Sequence, residues 1–77
     1  MSAKYREHFI KIGLKVSYYR KLKCMTQEEL AEKMGCDTSF IAHIEAPNIY
    51  KAISLETLFR ISEALDVPTY KFLNFDD

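Results

Sequence analysis

The sequence predicts a small all-α domain built from five short helices. Three observations carry that reading. Apolar residues recur at steps of three and four through most of the chain, the period of a helix with one buried side. No stretch of any length alternates apolar and polar residues, as a half-buried strand requires. Helix boundary signals, among them Thr26, Gly35, Asp37 and Ser54, separate the periodic runs.

Residues 1–23 form one helix, or a short arm and a helix. Tyr5, Phe9, Ile12, Val16 and Tyr19 recur at alternating steps of four and three, which marks a core-facing stripe. Gly13 beside that stripe leaves room for another helix to approach closely. Ile10, Leu14 and Tyr18 make a second stripe, roughly opposite the first at about 100° per residue. It is either a surface for a partner subunit or scattered apolar surface of the ordinary kind.

The stretch from Thr26 to Glu45 reads as two short helices joined by one tight turn, a helix-turn-helix over residues 26–45. Thr26 is a good N-cap, and Glu29 sits where a capping box requires it. Leu30, Ala31 and Met34 follow at helical spacing. Gly35 ends the run in the left-handed conformation that glycine adopts without penalty. Cys36 is small and apolar, suited to the gap between the helices, and Asp37 offers a second N-cap. Ile41 and Ile44 bury one side of the next helix. Its other side carries Thr38, Ser39, Ala42 and His43, which are free to touch something else. Phe40 points outward or packs inward.

Pro47 fixes φ and ends that helix, and Asn48 tolerates a turn. Ser54 caps a fourth helix. Leu55, Leu58, Phe59, Ile61 and Leu65 give it an apolar face wide enough for both a core and a partner. Pro68, or Thr69 after it, starts a last short helix with Tyr70, Phe72 and Leu73; Phe75, Asp76 and Asp77 end the chain. The aromatic tail, with Ile49 and Tyr50, is more apolar surface than a small monomer should expose. A homodimer contact through Tyr50, Leu55, Phe59, Phe72 and Phe75 is therefore expected, in preference to the second stripe of the first helix.

At 77 residues, 48% apolar and 29% charged, the chain makes one domain with a modest core. Cores below ~80 residues are marginal, so tight helix packing or oligomerisation should help. No run approaches the ~20 apolar residues of a membrane span, and no signal-peptide pattern opens the chain, so a cytoplasmic location away from membranes is expected. Cys24 and Cys36 lack the spacing of a disulfide framework or metal site. There is no Ser/His/Asp set, no pair of catalytic carboxylates and no glycine-rich phosphate loop. An enzyme is not expected, nor a cofactor, nor a small-molecule substrate. The net charge is zero, but it is polarised. Residues 1–23 hold seven basic groups against Glu7, +6, and residues 24–77 hold four basic and ten acidic groups, −6. One end could face phosphates while the other repels them.

The pattern TQEELA, then Gly35, then Ile41-x-x-Ile44-Glu45, resembles the helix-turn-helix of the Cro/repressor-type (XRE-like, lambda-repressor-like) family. Ile12-Gly13, Val16 and Arg20 ahead of Met25-Thr26-Gln27 match the family's first helix, and SLETLFRISEALDVP followed by YKFL matches its last two. The resemblance runs from about Ile12 to Leu73. It implies a compact five-helix domain that binds double-stranded DNA, with the second helix of the motif in the major groove. By the same resemblance Arg20 and Glu45 form a partly buried ion pair, and Gln27 holds a phosphate with its side chain and helix N-terminus. Thr38 and Ser39 match base-contact positions, Phe40 is a candidate for a thymine methyl, and Ala42 and His43 share the reading face. Lys21 and Lys51 are the candidate backbone contacts. Ala46-Pro47-Asn48 departs from the family, replacing the usual glycine-containing basic loop and leaving Lys51 where several cations are common. Two functions follow: a sequence-specific homodimeric regulator of the phage or plasmid repressor or restriction–modification controller type, or a protein-interaction module that keeps the fold and binds DNA weakly or not at all.

Overall fold

The computed structural model describes residues 4–49 and 51–76. Four α-helices follow in order: α1 (Arg6–Leu22), α2 (Gln27–Met34), α3 (Thr38–Glu45) and α4 (Leu55–Leu65). The fifth predicted helix is a single 3-10 turn, Thr69–Phe72. Its bonds run three residues apart, from the Lys71 amide to the Pro68 carbonyl at 3.1 Å and from the Leu73 amide to the Tyr70 carbonyl at 3.0 Å, the pattern of a short connecting turn.

Local signals set the helix ends. Thr26 accepts a hydrogen bond from the Glu29 amide at 3.0 Å, and the Glu29 carboxylate accepts one from the Thr26 amide at 2.8 Å, so the capping box is closed. Gly35 ends α2 in the left-handed conformation at φ 69°. Ser54 caps α4 by accepting from the Thr57 amide at 3.1 Å. Asp37 stands at the N-cap position of α3, but its side chain makes no capping hydrogen bond, so the expected cap is positional only.

Asp66 closes α4 in the left-handed conformation, at φ 56°. Such a backbone costs any residue with a Cβ and costs glycine nothing. Asp66→Gly should therefore raise stability by about 0.5–1 kcal/mol, read as a higher thermal midpoint. An unchanged or lower midpoint would mean that the aspartate compensates its own strain.

Helix α3 packs on α1 and α2, α2 packs on α4, and the 3-10 turn closes over α1 and α4. The core between them holds Ile12 and Val16 from α1, Leu30 and Met34 from α2, and Ile41 and Ile44 from α3. Leu58, Ile61 and Leu65 from α4 and Phe72 from the turn complete it. Phe9 and Tyr19 pack at its edge, whereas Tyr5, at the cap of α1, is 53% exposed and is not part of the core. Helices α2 and α4 also cap each other: Arg60 donates to the Met34 carbonyl, and Lys33 Nζ donates to the Ala64 carbonyl at 3.2 Å. These bonds satisfy carbonyls that helix ends leave open. No described helix is long and apolar enough to cross a membrane.

The predicted dimer residues separate. Phe72 is fully buried, with its ring 5.4 Å from that of Tyr19, so it belongs to the core and not to an outer surface. Phe75 is half-buried, and its ring meets the edge of His8 at 5.2 Å. The 3-10 turn folds this tail back onto α1, which is why Phe72 and Phe75 are not surplus surface, whereas Tyr70 stays 68% exposed. Leu55 and Phe59 remain exposed on α4. Tyr50 lies outside the described residues.

Candidate nucleic-acid interface

Ile41, Ile44 and Glu45 are buried, and they fix the rotation of α3 about its axis. With those positions committed inward, the helical period turns Thr38, Ser39 and His43 to solvent, with Ala42 half-buried beside them. Phe40 departs from the outward candidate role. It is half-buried and packs against the core, and Lys51 Nζ lies over its ring at 5.2 Å from the centroid. Phe40 and Lys51 thus form a cation–π pair that ties the loop after α3 to the helix.

Behind the exposed face lies a polar cluster. Arg20 approaches Glu45 with two parallel hydrogen bonds, Nε to Oε2 at 2.8 Å and Nη2 to Oε1 at 2.9 Å. This fork-to-fork geometry is the strongest arrangement for such a pair. Arg20 Nη1 also donates to the Met25 carbonyl at 2.6 Å, at the end of the α1–α2 connection. The hydrogen bond to Glu45 raises the Arg20 pKa above its ordinary value, against burial, which lowers it. Among the described residues no buried side-chain nitrogen or oxygen is left without a partner. The cluster therefore joins α1, the start of α2 and the end of α3 through satisfied bonds.

Gln27 is the third member. Its Nε2 donates to Glu45 Oε1 at 3.0 Å. A carboxylate only accepts, so the amide nitrogen must face Glu45, and the second N–H and the carbonyl remain for another group. Gln27 opens α2, where the helix dipole is positive and backbone amides point outward. An anion placed there would meet the amide side chain and the helix end together.

The basic residues of the first third are not equivalent. Arg20 is consumed inside the fold, and Lys11 lies 3.7 Å from Glu7. Lys21 and Lys23 are exposed at the end of α1, next to the connection that leads into Gln27. Thr38, Ser39, His43, Gln27 and Lys21 are all solvent-accessible, while Phe40 and Lys51 are engaged with each other.

A family model described as Helix-turn-helix (HTH_3) matches residues 16–72. The chain belongs to this helix-turn-helix family. The HTH-type transcriptional regulator SinR of Bacillus licheniformis is 38% identical over 66 residues, which cover 86% of this chain and 59% of that protein. SinR of Bacillus subtilis (strain 168) is 36% identical over 63 residues, covering 82% of this chain and 56% of the relative. The chain thus spans just under three fifths of the length of the curated relatives it matches. Two solved structures share the fold. The restriction-modification controller protein C.AhdI from Aeromonas hydrophila superposes with a TM-score of 0.75 at 26% identity, over 83% of this chain and 94% of that one. The biofilm regulator SinR, solved in complex with DNA, superposes with a TM-score of 0.74 at 36% identity, over 82% and 98%.

The helix-turn-helix match opens on Val16 and closes on Phe72, so it takes in Arg20, Gln27, all of α3 and Glu45. Two features of this helix-turn-helix escaped the sequence. One is the Gln27–Glu45 bond, which links residues 18 positions apart. The other is Cys24, which takes a left-handed backbone at φ 57° in the turn that leads from α1 to α2. No glycine marked that turn.

Proposed function

We propose that this chain is a sequence-specific DNA-binding transcriptional regulator, acting as a homodimer on a palindromic or near-palindromic operator. One observation carries the reading. The half of α3 that the core leaves free is small and hydrogen-bonding at Thr38, Ser39 and His43, beside a helix N-terminus at Gln27 suited to a phosphate. A relative of the same fold, 36% identical, is solved in complex with DNA, which supports the assignment. Regulation would come from occupying the operator and blocking or recruiting polymerase.

The two groups of residues should fail differently. Gln27→Ala and Lys21→Ala should weaken all duplexes about equally, and loss of the lysine should flatten the salt dependence. Thr38→Ala or Ser39→Ala should relax preference at particular base pairs by roughly 1 kcal/mol, because a hydroxyl both donates and accepts. Footprinting of these variants on duplexes selected from a random pool reads both effects. If Thr38 and Ser39 substitutions leave preference untouched while binding persists, α3 does not read the bases. A low-salt gel shift on arbitrary duplex tests the alternative of a pure interaction module, since phosphate contacts dominate nonspecific affinity.

Leu55 and Phe59, at 62% and 54% exposure, lie one turn apart on α4 and are the favoured dimer contact. Two reading helices related by a twofold axis would place half-site centres about 34 Å apart. Sedimentation at micromolar concentration should give a dimer, and Phe59→Ser should shift it to monomer. A wild-type monomer, with and without operator, would remove the dimer from the proposal.

A further inference from the structure

We propose that the outer face of α1 is a docking surface for an acidic amphipathic helix of another protein. Leu14, Tyr18 and Leu22 recur every fourth residue along it and are 46%, 59% and 61% exposed. At about 100° per residue they lie roughly opposite Gly13, Val16 and Arg20, the positions that face the core and α3. Two shallow hollows meet at Leu14 and Lys15, one bounded by Tyr18 and Tyr19 and the other by Lys11 and Phe75. Successive stripe residues are spaced about 6 Å along the axis, the interval at which the ridges of a second helix interdigitate.

Charge decides the occupant. Lys11 and Lys15 flank the stripe on α1, and Glu7 is the helix's one acidic residue. Its carboxylate already lies 3.7 Å from Lys11. A helix with leucine-like residues along one side and carboxylates beside them would bury the stripe and meet these cations. A second copy packed through α1 would bring cations against cations. A DNA backbone would use the lysines but leave three large apolar side chains in water. Because the stripe faces away from α3, a helix docked there leaves the Thr38–His43 face open. The surface stands independently of what that face binds.

The probe is a synthetic peptide of about four helical turns with leucine at every third or fourth position and glutamate elsewhere. The control carries lysine in place of each glutamate. Titrated into the isotope-labelled chain, the glutamate peptide should produce saturable amide shifts along residues 10–22 and near Phe75, and binding should weaken with added salt. The Leu14→Ser, Tyr18→Ser double variant should keep its helical circular dichroism and bind the peptide about tenfold or more weakly. Equal binding of the lysine peptide, shifts confined to α3 or α4, or an unaffected double variant would overturn the proposal. So would a double variant that becomes monomeric or loses low-salt DNA retention, because the stripe would then belong to a second copy or to DNA. Loss of DNA binding by the Ser39 or Gln27 variants alone leaves this result unchanged.

Discussion

Gly13→Ala is expected to destabilise the fold by about 3 kcal/mol or more, although alanine is the better helix former by about 1 kcal/mol. The reason is contact, not propensity. A Cβ built on Gly13 would lie 1.8 Å from the Ile44 carbonyl oxygen and 3.0 Å from its carbonyl carbon. Both are backbone atoms in the last turn of α3, so no side chain can swing aside. The helices must separate or the end of α3 must bend. Either response disturbs the buried Ile44 and the Arg20–Glu45 pair in the same region. Urea denaturation should show a large drop in midpoint at unchanged slope. A midpoint equal to or above wild type would show that α1 and α3 can part cheaply, and the close crossing would lose its structural meaning.

Glu45→Ala should cost about 3 kcal/mol, because removing one member of a buried ion pair leaves the other charged and unsolvated. Arg20 and Glu45 are each 7% exposed. Without the carboxylate, Arg20 keeps the Met25 carbonyl but loses its two hydrogen bonds to Glu45, and Gln27 loses its acceptor. The guanidinium cannot escape the cost by deprotonating. Arg20→Ala should be similarly damaging, and the double variant less so than the sum of the two, since coupled partners are non-additive. A double-mutant cycle by chemical denaturation measures this. Additive losses would mean that the pair is a bystander. Glu45→Gln, which keeps an acceptor oxygen, should fall between Glu45→Ala and wild type.

The second substitution also reaches the candidate interface. Gln27 is oriented by the carboxylate that holds Arg20, so the start of α2, the proposed phosphate contact, and the end of α3 are set by one side chain. Glu45→Gln can present either an amide or a carbonyl to Gln27. It should therefore weaken low-salt DNA retention by more than its stability loss explains.

What the sequence determined by itself closes within a few residues, although the left-handed turn at Cys24 and the unused Asp37 side-chain cap are local features it did not reveal. The Thr26–Glu29 capping box, the left-handed Gly35 and the Ser54 cap involve neighbours at most a turn apart, and they place α2, its end and the start of α4. The period of Ile41 and Ile44 likewise determined which side of α3 faces outward, because a helix that buries those two residues has one free side left. Tertiary structure decided the rest. The sequence could not distinguish Phe72 from Phe59 as surface, because both are large aromatic residues on apolar runs. The 3-10 turn places the first beside Tyr19 in the core, and the α4 rotation leaves the second in solvent. Phe40 had two faces open to it until the core and Lys51 took its ring. Gly13 signalled a close approach, but the Ile44 carbonyl as the approaching group, 31 positions away, depends on how α1 and α3 cross. Local hydrogen bonds and helical period are properties of short windows. Which apolar side chain meets which, and which amide turns toward which carboxylate, is set only when helices distant in sequence pack together.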